Sequence, residues 1–262
     1  MSESAGRVTV ERDGDLATVF LDHPSKLNVL DSAAWAALAA TFEELGEDRD
    51  LRCLVVRGRG GRAFSAGSDI GHFPEQRSTP EDVARYGGLI REALHSVRHC
   101  LHPTVALIDG LCVGGGLEIA ACCDLRVAGA SSRFGAPINR LGLTMAYEEL
   151  DPLVRLLGPG PVLDILLTGD LLDADAALRA GLVSRVFGDE VLAEEGMALA
   201  RRVASGAPLV NRWHKRFIRR LEDGSAPGPD ERLEAYEAFR TSDYREGTRA
   251  FLEKRAPRFE GR

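Results

Sequence analysis

Apolar and polar positions in residues 7–14 (RVTVERDG) and 16–23 (LATVFLDH) follow the pattern of two strands, and Asp13-Gly14-Asp15 between them predicts a hairpin. The period then lengthens. In 32–46 (SAAWAALAATFEELG) apolar residues fall at helical spacing, with Ser32 as candidate cap and Gly46 as candidate stop. A β-branched run at 51–58 (LRCLVVRG) predicts a strand, residues 80–99 a long amphipathic helix, and 103–110 (PTVALIDG) another strand. A helix over 117–123, a strand over 124–130 and a mostly helical remainder complete the pattern. Strands and helices that interleave and then give way to helices predict an α/β core, 1–195, carrying a helical region, 196–262. The segment 223–230 (DGSAPGPD) reads as a loop between two helices of that region.

Composition narrows the class. With 44% hydrophobic and 28% charged residues the chain is expected to be a soluble globular protein, and no apolar run approaches the roughly 18 residues of a membrane span. The first residues lack the basic-then-apolar order of a signal peptide, so a cytoplasmic location is expected. A net charge of -7 argues against nucleic acid as partner, and the basic run RWHKRFIRR at 212–220 reads as a solvated helix face. Five cysteines show no disulfide or zinc spacing; Cys53, Cys112, Cys122 and Cys123 read as small core residues, and Cys100, between His99 and His102, as a helix end before Pro103. No phosphate loop or dinucleotide fingerprint is present.

One stretch, GLCVGGGLEIAACCD at 110–124, sets three glycines against a single carboxylate, Glu118, within an otherwise apolar run. A helix that begins after glycines presents unpaired N–H groups that can hold an oxyanion, and a carboxylate in its first turn sits beside whatever those groups hold. That pairing suits proton transfer next to a carbonyl, with the developing enolate charge taken up by the N–H groups. The plain alternative is a tight turn followed by a first-turn acid that favours the helix dipole. A second loop, GRGGRAFSAGSDI at 58–70, offers another set of N–H donors.

Taken with HPSKLNVLD, RFGAP, LLTGDLLDADAALRAGLVSRV and EGTRAFLEKR, these stretches resemble, in order and over nearly the whole chain, the crotonase or enoyl-CoA hydratase/isomerase superfamily. The resemblance implies a spiral of repeated ββα units, C-terminal helices that assemble a homotrimer or dimer of trimers, and acyl-CoA thioester substrates with coenzyme A as part of the substrate and no separate cofactor. It implies that Ser68 and Gly115 supply the two oxyanion N–H groups and that Glu118 is the acid/base. It further implies that Ala66, Gly67, Asp69, Ile70, Gly114 and Ile138 line the ligand, together with Lys26, and that Phe251 and Lys254 match an aromatic and a lysine that in relatives hold the nucleotide end of coenzyme A.

The chain also departs from the family. Hydratases carry a second glutamate after the proline of a segment such as FGAP, and here that position is Ile138. Enoyl hydration divides proton work between two groups, so Tyr147 and Glu149 become candidate auxiliaries, with helix-start or surface roles as the alternative. An acyl-CoA decarboxylase and a non-catalytic acyl-CoA binding protein are the competing readings. A serine hydrolase built on Ser65 in AFSAG is a third, without a matching Asp and His order.

Overall fold

The computed structural model describes residues 7–222 and 224–262, except the side chain of Glu75; Asp223, at the start of the predicted loop, lies outside the described residues. Strands β1 (Arg7–Asp13) and β2 (Leu16–Asp22) pair antiparallel around the predicted turn, where Gly14 takes φ +61°. Helix α1 (Ser32–Glu47) follows, capped by Asp31 rather than Ser32, because the Asp31 carboxylate accepts from the Ala34 N–H at 2.8 Å. It runs one residue past Gly46.

From here a unit recurs three times: a long strand, a short strand and a helix. The first is β3 (Cys53–Gly58), β4 (Ala63–Ser65) and, after the short α2 (Phe73–Gln76), α3 (Pro80–His99). The second is β5 (Thr104–Ile108), β6 (Leu111–Val113) and α4 (Gly115–Cys122); the third is β7 (Leu125–Gly129), β8 (Arg133–Gly135) and α5 (Tyr147–Leu157). Then come α6 (Pro159–Thr168), β9 (Leu172–Asp173), α7 (Ala174–Arg179) and β10 (Arg185–Phe187). Long strands assemble one sheet in the order β1-β2-β3-β5-β7-β10 and short ones a second, β4-β6-β8-β9. Each turn of the chain thus adds one strand to each sheet, parallel to the last, which is the expected spiral. Helix α4 begins at Gly115, two residues before the apolar pattern starts at Leu117, because the glycines themselves form its first turn. Strands β4, β6, β8, β9 and β10 were absent from the predicted pattern; at two or three residues each they are too short to display a period.

Alternation along the long strands divides the core. Leu54, Val56, Ala106 and Ile108 face α1, α3 and α4, whereas Cys53, Val55, Val105 and Leu107 face the opposite side. That side is covered by α8 (Leu192–Ala204) through Leu192, Leu199 and Ala200. Residue 195 therefore falls inside a helix packed on the main sheet, and the helices beyond the core start after Ala204: α9 (Pro208–Glu222), α10 (Pro229–Glu234) and α11 (Ser242–Leu252). All five cysteines are buried and unpaired, and burial pushes the Cys53 thiol up to about 12. His102 is buried with Nε2 3.1 Å from the Leu45 carbonyl oxygen, and burial holds it down at about 4.

The basic run on α9 is not the solvated face that composition predicted. Arg212 donates to the carbonyls of Arg49 and Leu51, both at 3.0 Å; Lys215 pairs with Asp124 at 2.9 Å and Arg219 with the same carboxylate at 3.0 Å. Asp124 also accepts from the N–H and hydroxyl of Thr104, at 2.8 and 3.0 Å. These cations satisfy core carbonyls and a core carboxylate, so they tie the helical region to the spiral.

Candidate active site

The end of β4 and the start of α4 meet at Gly67. This residue takes φ +85°, and a β-carbon there would lie 2.9 Å from the Gly115 nitrogen and 3.0 Å from the Val113 carbonyl oxygen. Only glycine lets the two backbones come this close. Around it the first loop is held rigidly. Leu30 N–H donates to Gly67 O at 2.8 Å and Asp69 N–H to Leu30 O at 2.9 Å, so Ser68 is gripped on both sides. Buried Asn28 supports the same loop through its side-chain amide, which donates to Ala63 O at 2.7 Å and Arg59 O at 3.0 Å. The Ser68 and Gly115 N–H groups have no backbone acceptor among the described residues. Both residues line one cavity of about 220 Å³.

The glycine triplet answers to one backbone angle and two neighbours. Gly114 caps α4 at φ +51°, a β-carbon on Gly115 would come 2.7 Å from the buried Trp35 ring, and one on Gly116 would come 2.5 Å from Ser65 O. Helix α4 is consequently buried along its full length, and Glu118 is only 5% exposed. Burial pushes its carboxyl up to about 8, helped by the Glu149 carboxylate and opposed by the Arg77 guanidinium. Glu149, from α5, lines the same cavity. Burial raises it as well, against the lowering effects of the Ala146 N–H, which donates to its Oε2 at 2.9 Å, and of Arg77. Two carboxyls that share a cavity resist simultaneous ionisation, so the site holds a proton at neutral pH.

Of the residues expected from sequence, Ala66, Ser68, Ile70, Gly114, Gly115, Glu118, Ile138 and Glu149 line the cavity together. Gly67 shapes it from behind. Asp69 does structural work beside it, accepting from the Gly71 N–H at 3.0 Å and from Lys26 Nζ at 3.4 Å, with His72 Nδ1 3.2 Å away. The other auxiliary candidate, Tyr147, is 89% exposed and belongs to a neighbouring cleft with His95 and Arg98. Phe251, 83% exposed, and Lys254, at φ +54°, lie on and just after α11, outside the cavity. Ser65 is fully buried, with its hydroxyl donating to Asn28 O at 2.7 Å and accepting from Gly67 N–H at 3.0 Å; it is a structural hydroxyl and not a nucleophile.

Sequence reasoning missed Phe73, Arg77 and Met145, which also line the cavity. Arg77 follows a four-residue helix in a polar segment, where nothing local distinguishes it from a surface arginine. A larger cleft, about 760 Å³, lies along α11, but its Glu246 and Arg255 are engaged with each other at 2.6 Å and its Asp243 with the Glu260 and Gly261 N–H groups.

Comparison with known proteins agrees with this geometry. The enoyl-CoA hydratase/isomerase family model matches residues 11–262. The chain is 31% identical to a crotonyl-CoA hydratase of Syntrophomonas wolfei over 96% of its own length and 97% of the relative's. It is likewise 31% identical to a short-chain-enoyl-CoA hydratase of Clostridium acetobutylicum, covering 95% of each. Among solved structures, an enoyl-CoA hydratase/carnithine racemase from Magnetospirillum magneticum superposes with a TM-score of 0.96 at 43% identity, over 99% of this chain and 97% of that one. The spiral of ββα units and the C-terminal helices are thus the crotonase fold, and the chain belongs to the enoyl-CoA hydratase/isomerase family.

Proposed function

We propose that this cavity hydrates a short 2-enoyl-CoA thioester, with Ser68 and Gly115 N–H groups holding the thioester oxygen and Glu118 and Glu149 dividing the proton work. The observation that carries this reading is the presence of both carboxyls in the cavity that the two free N–H groups line. Glu149 thereby takes over the role vacated at Ile138. Ionised Glu149 accepts a proton from water while the water oxygen bonds to Cβ; the Cα=Cβ electron pair moves toward the thioester, and the enolate oxygen is held by the two N–H groups. Protonated Glu118 then delivers its proton to Cα. One water is added, and the two carboxyls exchange roles, to be reset by proton exchange with solvent.

A volume of about 220 Å³ lies below the several hundred Å³ of drug-sized sites, which favours a short acyl chain. Curated relatives named for crotonyl-CoA and short-chain enoyl-CoA hydration support the same class. The decarboxylase and binding-protein readings lose their motive, since both arose from the missing second carboxylate. Lys26, Phe251 and Lys254 remain proposed contacts to coenzyme A, the last two toward a neighbouring subunit of a homotrimer or dimer of trimers.

The test is mass spectrometry of crotonyl-CoA incubated with the protein in heavy water. Addition of one water with deuterium at Cα supports hydration. Deuterium without added water would replace it by isomerisation or enolisation, and return of unlabelled thioester would overturn it.

A further inference from the structure

Arg77 is the one cation lining the cavity among the described residues, and its position is tightly defined. Its guanidinium carbon lies 4.0 Å from the centre of the Phe73 ring and 4.7 Å from that of Tyr86, so two aromatic rings set at 72° to each other hold it in place. Its Nε–H is buried without an acceptor, and no carboxylate of the described residues pairs with it within 4.0 Å. An unanswered buried donor on a charged group is costly unless a ligand completes it.

The obvious internal partners do not complete it. Glu149 spends one oxygen on the Ala146 N–H, closing the first turn of α5. Burial prevails over the attraction of Arg77 at both Glu118 and Glu149, which a direct ion pair would have reversed. Much of the remaining wall is apolar, from Ile70, Val113, Ile138, Leu143 and Met145, and gives an acyl chain no other charged anchor.

We propose that Arg77 receives a carboxylate at the far end of a short acyl chain, so that the substrate is the CoA thioester of an unsaturated dicarboxylic acid. A guanidinium fixed beside two aromatic rings and lining the cavity suits a carboxylate, which would answer its charge. This rests on the reading of the cavity as the acyl site.

The test is isothermal titration of the intact protein, and of R77M and R77K, with glutaryl-CoA, butyryl-CoA and coenzyme A, none of which can be hydrated. Wild-type protein is expected to bind glutaryl-CoA at least ~10-fold more tightly than butyryl-CoA, the ratio to fall to about one in R77M, and R77K to lie between. Equal binding of the two thioesters by wild-type protein, which needs no variant to fold, would overturn the inference. So would a ratio that survives in R77M, or an R77M loss shared equally by coenzyme A, which would place Arg77 on the phosphates. If coenzyme A binds and neither thioester binds more tightly, the acyl-site reading fails and the inference with it. Turnover of crotonyl-CoA with no preference for glutaryl-CoA would sink the inference alone.

Discussion

Glu118 carries opposite demands. Its proposed work needs a carboxyl that keeps a proton near neutrality, and burial along α4 achieves this by making the charged form costly. Replacement by Gln is expected to lower kcat by roughly 10²- to 10⁴-fold, read from the rate of enoyl-thioester loss. The same substitution should affect stability in the other direction. The folded state holds the Glu118 proton up to about pH 8, whereas the unfolded chain releases it near the ordinary value of 4.5. Unfolding therefore releases a proton between these limits, and stability declines as pH rises through that window and levels off above it. Thermal melts should show E118Q more stable than wild type at pH 9, with the gap closing toward pH 5; parallel curves would contradict a buried, proton-holding Glu118. At Gly67 the expected outcome differs in kind. Gly67→Ala meets a left-handed backbone and a β-carbon 2.9 Å from the Gly115 nitrogen, so it should cost about 1–2 kcal/mol from the backbone alone, seen in urea unfolding, and also depress turnover by displacing an oxyanion donor. About half of the cavity's lining residues were legible at this scale, because the glycine motifs and Glu118 sit in local patterns. Arg77 was not legible, because its proposed role depends on the cavity it lines and on Tyr86 of α3, which nothing in its own polar segment marks.

The elements show the same division. Long strands and helices such as β3, β5 and α3 were readable from their period, since burial of one face imposes it. The short strands β4, β6 and β8 to β10 were not, as pairing with neighbours already in place is what makes two or three residues a strand. Helix α9 is the instructive error. A run rich in Arg and Lys looks solvated in isolation, yet Lys215 and Arg219 converge on Asp124, at the junction of α4 and β7. Asp124→Ala would remove the carboxylate that both cations share and leave the Thr104 N–H without its acceptor in a largely buried place, so a loss of about 3 kcal/mol is expected. A lowered midpoint in chemical denaturation with unchanged slope would show it; a midpoint within error of wild type would mean that solvent replaces these contacts.

For the whole molecule, the helices beyond the core leave large apolar side chains in the open, among them Leu233, Tyr236, Phe239, Phe251 and Leu252. Apolar surface of this extent is expected to be covered by further copies of the chain. Sedimentation should give a mass about three or six times the 28.3 kDa of one chain; a monomer at micromolar concentration would remove the proposed role of Phe251 and Lys254 in completing a neighbour's coenzyme A site.

By itself the sequence determined the class of fold, the order of its main elements, the two glycine loops and the identity of Glu118, because each is written in contiguous residues whose spacing or backbone freedom is local. It also showed that Ile138 leaves the usual second carboxylate missing, and it named both Tyr147 and Glu149 as candidates to replace it. Only the tertiary structure showed which of them lines the cavity. Whether a side chain at the start of α5 enters a cavity formed by β4, α2 and α4 depends on how separate turns of the spiral pack, and that packing brought Glu149 to the cavity wall, left Tyr147 in solvent and set Arg77 in the same wall as the two carboxyls.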